Sequence, residues 1–226
     1  NIRSFLTFLF ILIVIVEVKA RMPNVVIIYT DDQGSIDINS YGSKDLITPA
    51  MDSLCREGVR FTQFHSAAAV CSPSRAALLT GRVPARAGVP GNVSSHPGGR
   101  GALPSEQITM AEVFKAAGYS TAHIGKWHLG AHKSLIPERR GFDEFFGFLI
   151  GGHRYFPEDL TINDLTDARR QMDGYVTRIY DNGKRIDTKK YLTEELSDNA
   201  VKFIDDNSDN PFFIYLSYNA PHTPLQ

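Results

Sequence analysis

Apolar residues recur along this chain in two alternating rhythms. Asn24-Val25-Val26-Ile27-Ile28-Tyr29-Thr30 is a continuous, β-branched run, the pattern of a buried strand of the parallel-sheet type. Strand-like runs return at 59–64, 120–124 and 211–218. Between them the spacing is helical. Thr48 and Pro49 suit an N-cap and first helical residue, with Gly58 as the stop and Met51, Leu54 and Cys55 on one face. Pro73 and Gly81 bracket a second helix rich in the strong formers Ala76, Ala77, Leu78 and Leu79. Thr109-Met110-Ala111-Glu112 is a capping box, with Ile108 and Val113 as its staple and Gly118 as the stop. Leu196, Ala200, Phe203 and Ile204 line one face of a later helix, and Glu194 and Glu195 suit its first turn. Asp181-Asn182-Gly183 lies between residues 175–180 and 184–186 as an Asn-Gly hairpin turn would. This alternation predicts an α/β fold, a three-layer αβα arrangement around a mostly parallel central sheet.

Composition narrows the class without changing it. The 226 residues suffice for one domain with a real core, and 42% hydrophobic with 22% charged content is ordinary for a globular protein. A formal net charge of −1 gives no global reason to expect nucleic acid as a partner. The chain has two cysteines, and Cys55 reads as a small core residue, so no disulfide is expected. Arg3 precedes an apolar run at 5–16, and Val18-Lys19-Ala20 offers small residues for cleavage. Residues 1–20 therefore read as a secretory signal peptide, with an uncleaved anchor as the alternative. Residues 21–226 are left as the folded part, with no stable membrane insertion after cleavage. The expected location is secreted or periplasmic, or lysosomal in a eukaryote.

Chemistry-bearing residues gather at predicted strand ends. Asp31-Asp32 closes the first strand, where open α/β sheets place ligands. A cation would relieve the repulsion of two adjacent carboxylates, and hard oxygen donors favour Ca²⁺ or Mg²⁺ over zinc. A solvated turn is the plainer alternative. Cys71 sits just before a helix N-terminus, a place that favours anions. By itself it also fits a buried cysteine. After the 120–124 strand come Lys126 and His128, two apart, which an extended backbone points to the same side. Such a pair suits a doubly charged anion and its proton transfers. Residues 83–104, rich in Gly, Pro and Ser, read as a long surface loop containing the glycosylation sequon Asn92-Val93-Ser94. His65 reads as structural or surface, and Phe145, Phe146 and Phe148 as core.

The string Cys71-Ser72-Pro73-Ser74-Arg75-Ala76-Ala77-Leu78-Leu79-Thr80-Gly81-Arg82 resembles the sulfatase signature, in which the cysteine becomes formylglycine. Gly125-Lys126-Trp127-His128-Leu129-Gly130 resembles the second signature of that family, and Ala220-Pro221-His222-Thr223-Pro224 its sulfate-contacting segment. The resemblance covers about residues 23–226 and implies the front part of an alkaline-phosphatase-like catalytic domain. The family's later Asp-Asn metal ligands, a further lysine and a smaller C-terminal domain are not among these residues. It implies sulfate-ester hydrolysis on aryl or carbohydrate sulfates, with a hydrated aldehyde at position 71 supplying the nucleophile and the means of sulfate release. Arg75 would hold that hydrate, and Lys126, His128 and His222 would neutralise sulfate or handle protons. Asp31, Asp32 and residue 71 would bind Ca²⁺, with Mg²⁺ second. His153 falls where some relatives place a substrate-pocket histidine. The implied partners are a sulfated small molecule or carbohydrate and a formylglycine-generating enzyme. Asp181-Asn182 is not carried over as a metal pair, because its context is that of a hairpin. Two alternatives are a formylglycine-dependent phosphodiesterase or phosphonate hydrolase, and a non-catalytic fragment that keeps the scaffold.

Overall fold

The computed structural model describes residues 22–95 and 101–225. The signal peptide expected over 1–20 lies outside the described residues. Among the described residues one six-stranded sheet organises the chain. Its spatial order is β1 (Val25–Asp31), β6 (Phe212–Pro221), β2 (Ser120–Lys126), β3 (Glu144–Phe148), β4 (Ile179–Asp181) and β5 (Lys184–Ile186). The first four are mutually parallel, and β4 and β5 form an antiparallel hairpin at the edge. The α/β expectation is met.

Alternation along β6 sorts the two faces. Phe212 meets Phe203 on α4 (Leu192–Asp206), whose Leu192, Leu196, Ala200 and Phe203 are buried. The next residue, Phe213, stacks on Phe114 of α3 (Met110–Ala116), on the opposite face. Tyr215 continues that second face and stacks on His123, beside α2 (Cys71–Thr80). Helices thus cover both sides of the sheet, giving the three layers. The Thr109 capping box is complete, with Glu112 N–H donating to Thr109 Oγ1 and Glu112 Oε2 accepting from Thr109 N–H.

Several local expectations are revised. Helix α2 begins at Cys71, two residues ahead of Pro73, which its first turn tolerates because those N–H groups lack intrahelical partners anyway. Residues 59–64 form no strand. Tyr41 donates its hydroxyl proton to Phe61 O and Arg60 stacks on Tyr41, so side chains hold the segment in place of a ladder. Strand β1 is covered on one face only: Val25, Ile27 and Tyr29 are half-buried, while Val26 and Ile28 are exposed because α4 lies over β6, β2 and β3. Helix α1 (Pro49–Glu57) has the expected bounds but no buried residue; Leu54 is 64% exposed and Cys55 half-buried, so Cys55 is not a core residue. The described part of the 83–104 segment lacks regular structure yet is not a surface loop, since Ala87, Val89, Val93 and Leu103 are buried. Arg140 clamps its end by donating to the carbonyls of Leu103 and Gln107.

Asn182 and Gly183 take positive φ, 48° and 79°, in the tight β4–β5 turn. Asn182 also exchanges two hydrogen bonds with Phe145, through its N–H and its side-chain oxygen. Gly125 faces a stricter demand. Its φ is +111°, and a Cβ there would lie 1.9 Å from Ser217 O on the neighbouring strand. Gly125→Ala is therefore expected to lose at least ~2 kcal/mol, from backbone strain and overpacking together. Urea unfolding followed through the single, fully buried Trp127 checks this; an unchanged midpoint would refute the close approach.

Candidate active site

Three adjacent parallel strands deliver the site. β1 ends at Asp31, its register partner Pro221 ends β6, and β2 ends at Lys126. This is the carboxyl edge where parallel sheets gather ligands. Asp31 and Lys126 are both buried, and Lys126 Nζ donates to Asp31 Oδ2 at 2.5 Å. The same ammonium lies 3.4 Å from Cys71 Sγ. His222, one residue beyond β6, completes the group: one ligand-capable atom from each of Asp31, Cys71 and His222 lies within 4.8 Å of the other two.

Helix α2 brings Cys71 and Arg75, one turn apart, to this edge. Arg75 is fully buried, with Nη2 3.5 Å from Asp31 Oδ1. Its Nη1 donates to Lys126 O at 2.7 Å and to Ser217 Oγ at 3.0 Å. Tyr29 places its ring face against the guanidinium, 5.4 Å from centroid to Cζ, and its hydroxyl is 2.6 Å from Ser74 Oγ. Arg75 Nε has no hydrogen-bond partner among the described residues.

These neighbours reshape proton affinities. Burial would raise the Asp31 carboxyl, but the charges of Arg75 and Lys126 outweigh it and hold the group below the ordinary aspartate range. Burial and the Arg75 charge depress Lys126 despite its pairing with Asp31. For Cys71, burial is again overcome, by a hydrogen bond with His222 and by the Lys126 charge, so the thiol is lowered. The Cys71 contact raises His222 in turn, against burial. The pair leans toward thiolate and imidazolium.

The remaining expected residues fall into different surroundings. Asp32 follows the strand in a left-handed conformation, φ 63°, with its side chain exposed. One of its carboxylate oxygens lies 3.7 Å from His222 Nε2. His128 also has positive φ, 53°, so the extended backbone assumed for the pair does not continue through it. Its Nε2 donates to Val93 O at 3.0 Å, and its buried Nδ1 has no hydrogen-bond partner among the described residues. Burial, with the Lys126 and Arg75 charges, lowers His128 to about 3, so the ring is neutral. Such strain in non-glycine residues collects at functional sites. His153 is fully buried, with Nδ1 2.9 Å from Arg154 O and Nε2 2.8 Å from Thr177 O, so neither ring nitrogen is free. His65 is exposed.

Sequence reasoning passed over the layer beneath the site. The Lys126 carbonyl accepts from Arg75, from Ser217 Oγ at 2.5 Å and from His123 Nε2 at 3.2 Å. Burial lowers His123 to about 3, and its neutral ring stacks between Phe145 and Tyr215. Tyr155 donates its hydroxyl proton to His222 O at 2.7 Å. No sequence signal marks these residues, because each acts through a main-chain atom, which no side-chain motif records.

As donors to a cation, Asp31 and Asp32 offer carboxylate oxygens on adjacent residues, and position 71 would add oxygen only after conversion of its thiol. That set fits part of the oxygen shell of Ca²⁺ or Mg²⁺. Any cation there would share Asp31 with Lys126.

The sulfatase family profile matches residues 23–226. Arylsulfatase G of Rattus norvegicus is 37% identical over 227 residues, covering 92% of this chain and 43% of that protein. Arylsulfatase A of Homo sapiens is 47% identical over 131 residues, 57% of this chain and 25% of that protein. Among solved structures, Ps i-CgsB in complex with k-i-k-neocarrahexaose aligns with TM-score 0.83 at 39% identity, over 90% of this chain and 46% of that one. A structure solved with its substrate, D-glucosamine-2-N,6-O-disulfate, aligns with TM-score 0.69 at 29% identity, over 89% of this chain and 35% of that one. The chain spans less than half the length of these relatives. Across almost all of its own length, from the first strand through His222, it belongs to the sulfatase family.

Proposed function

We propose that this chain carries the nucleophile-bearing part of an active site that hydrolyses sulfate esters, with sulfated carbohydrates as the favoured substrates. The observation that carries the reading is the convergence of Cys71, Lys126 and His222 around buried Asp31 at three neighbouring strand ends. The carbohydrate preference rests on the neighbours solved with k-i-k-neocarrahexaose and with a disulfated glucosamine. A secretory route is inferred from the N-terminal sequence pattern, and no helix among the described residues is long and apolar enough to cross a membrane.

Conversion of Cys71 to formylglycine by a modifying enzyme would supply the hydrated aldehyde, a nucleophile toward sulfur with its own route to sulfate release. Arg75, locked by Lys126 O and Ser217, holds residue 71 from below and adds fixed positive charge. Lys126 binds the sulfate oxygens while staying in contact with residue 71. His222, grouped with Asp31 and residue 71, would donate to sulfate or to the leaving oxygen in its protonated form. His128 stays neutral and offers its Nδ1 lone pair as a proton acceptor. Asp31, Asp32 and the modified residue 71 would hold Ca²⁺, ahead of Mg²⁺, which would polarise the sulfate as a Lewis acid. His153 acts at one remove: its carbonyl accepts from Asn219, three residues before His222.

Four outcomes are expected. In the unconverted protein carrying Cys55→Ser, the pH dependence of alkylation should place the Cys71 thiol below the usual ~8.5. Lys126→Met should move it up; an ordinary value in both proteins would refute the charge cluster. Full-length protein made with a formylglycine-generating enzyme should lose the thiol mass at Cys71 and turn over sulfate esters in preference to phosphodiesters or phosphonates. Unmodified cysteine beside a converted control, or preference for phosphodiesters, would refute the proposal. In that enzyme Lys126→Met and His128→Ala should each lower kcat ~10²–10⁴-fold with the fold intact by circular dichroism. Asn182→Ala, in the edge hairpin, should leave metal affinity unchanged.

A further inference from the structure

Helix α2 starts with an unusual deficit. Its N-cap is Val70, which has no side-chain acceptor, so the helix cannot cap its own first turn. The missing acceptor comes from a residue 20 positions away. Asn92 Oδ1 accepts from Ser72 N–H at 3.1 Å, directly after the nucleophile position. The neighbouring residue continues the link: Val93 N–H donates to Ser72 Oγ at 3.1 Å. Ser72 Oγ passes its own proton to His128 O at 2.8 Å, and Val93 O accepts from His128 Nε2 at 3.0 Å. Four hydrogen bonds close a loop through three segments, and Ser72 and Val93 are buried.

We propose that Asn92 and Val93 form a positioning clamp for the active site, in which the Asn92 side chain caps the nucleophile helix and the Val93 carbonyl selects the tautomer of His128. A carbonyl can only accept, so the proton of the neutral ring sits on Nε2 and the Nδ1 lone pair stays open. Cys71 and His128 are thereby held to the same short segment, and a shift of residues 92–93 moves both. Ser72 is the variable position of the Cys-x-Pro-Ser-Arg string, yet here its side chain fills the centre of the clamp. The catalytic consequence rests on the sulfatase reading; the cap and the tautomer do not.

The test uses full-length protein from a bacterial host, where Asn92-Val93-Ser94 carries no glycan. Asn92→Ala removes the acceptor, and Asn92→Asp keeps one, aspartate and asparagine being comparable caps. Hydrogen exchange at the Ser72 amide should quicken roughly tenfold in Asn92→Ala and stay near wild type in Asn92→Asp. In the wild type, ¹⁵N shifts of His128 should report the Nε2–H tautomer. With the converted enzyme, kcat should fall roughly tenfold in Asn92→Ala, with KM within about twofold and rescue in Asn92→Asp. Unchanged Ser72 exchange in Asn92→Ala, or an Nδ1–H tautomer, overturns the clamp whether or not the enzyme hydrolyses sulfates. Faster exchange with unchanged kcat in an active enzyme overturns its positioning role. If Asn92→Ala does not fold, the wild-type tautomer and the Asp variant's exchange and kcat decide. Absence of sulfatase turnover in wild type, with exchange and tautomer as expected, refutes the function and sustains the clamp.

Discussion

The buried charge cluster of Asp31, Lys126 and Arg75 is the constraint that the site depends on. Each charge sits where water cannot solvate it, and each is compensated by the others. Such clusters add little net stability, because desolvation consumes most of the Coulomb gain, yet removing one partner costs ~3–5 kcal/mol. Their value here is geometric. Asp31 belongs to β1, Lys126 to β2 and Arg75 to α2, so satisfying the charges fixes three elements relative to one another. Cys71 is carried along on the first turn of α2.

The sheet makes that cluster reachable. β6 inserts between β1 and β2 and brings Ser217 under the Lys126 carbonyl. Gly125 lets the two backbones approach closely at that row, which no side chain would permit. Below the cluster, neutral His123 adds an N–H to the same carbonyl without adding charge beside Arg75. Above it, Asp32 and His128 adopt left-handed backbone conformations that turn the chain out of its strands at the site. Rigid strands thus present the charged groups, while strained residues set the rim.

The layers, the buried face of α4 and the Asn-Gly hairpin were legible from periodicity and turn chemistry, since these are local consequences of burial and backbone sterics. The site was legible largely through resemblance of whole strings, because Lys126 or His222 alone is compatible with a solvated surface. Segment 59–64 misled, because a strand-like pattern becomes a strand only where a partner edge is free to bond it. Segment 83–104 misled in the other direction: glycine and proline exclude regular structure but do not exclude burial, and Arg140 supplies a donor to the Leu103 carbonyl.

By itself, then, the sequence determined the alternation of elements, the turn at Asn182-Gly183, the capping box at Thr109 and the family strings that hold Cys71, Lys126 and His222. Each depends on neighbours a few residues away. Only the tertiary structure decided that β6 lies between β1 and β2, that Lys126 spans Asp31 and Cys71, and that His153 has no free ring nitrogen. It also decided that Asn92 caps a helix 20 residues earlier. These contacts join residues distant along the chain through orphaned N–H groups, bare carbonyls and buried charges. Their partners are chosen by what lies within about 3 Å in space, and no local pattern encodes that distance.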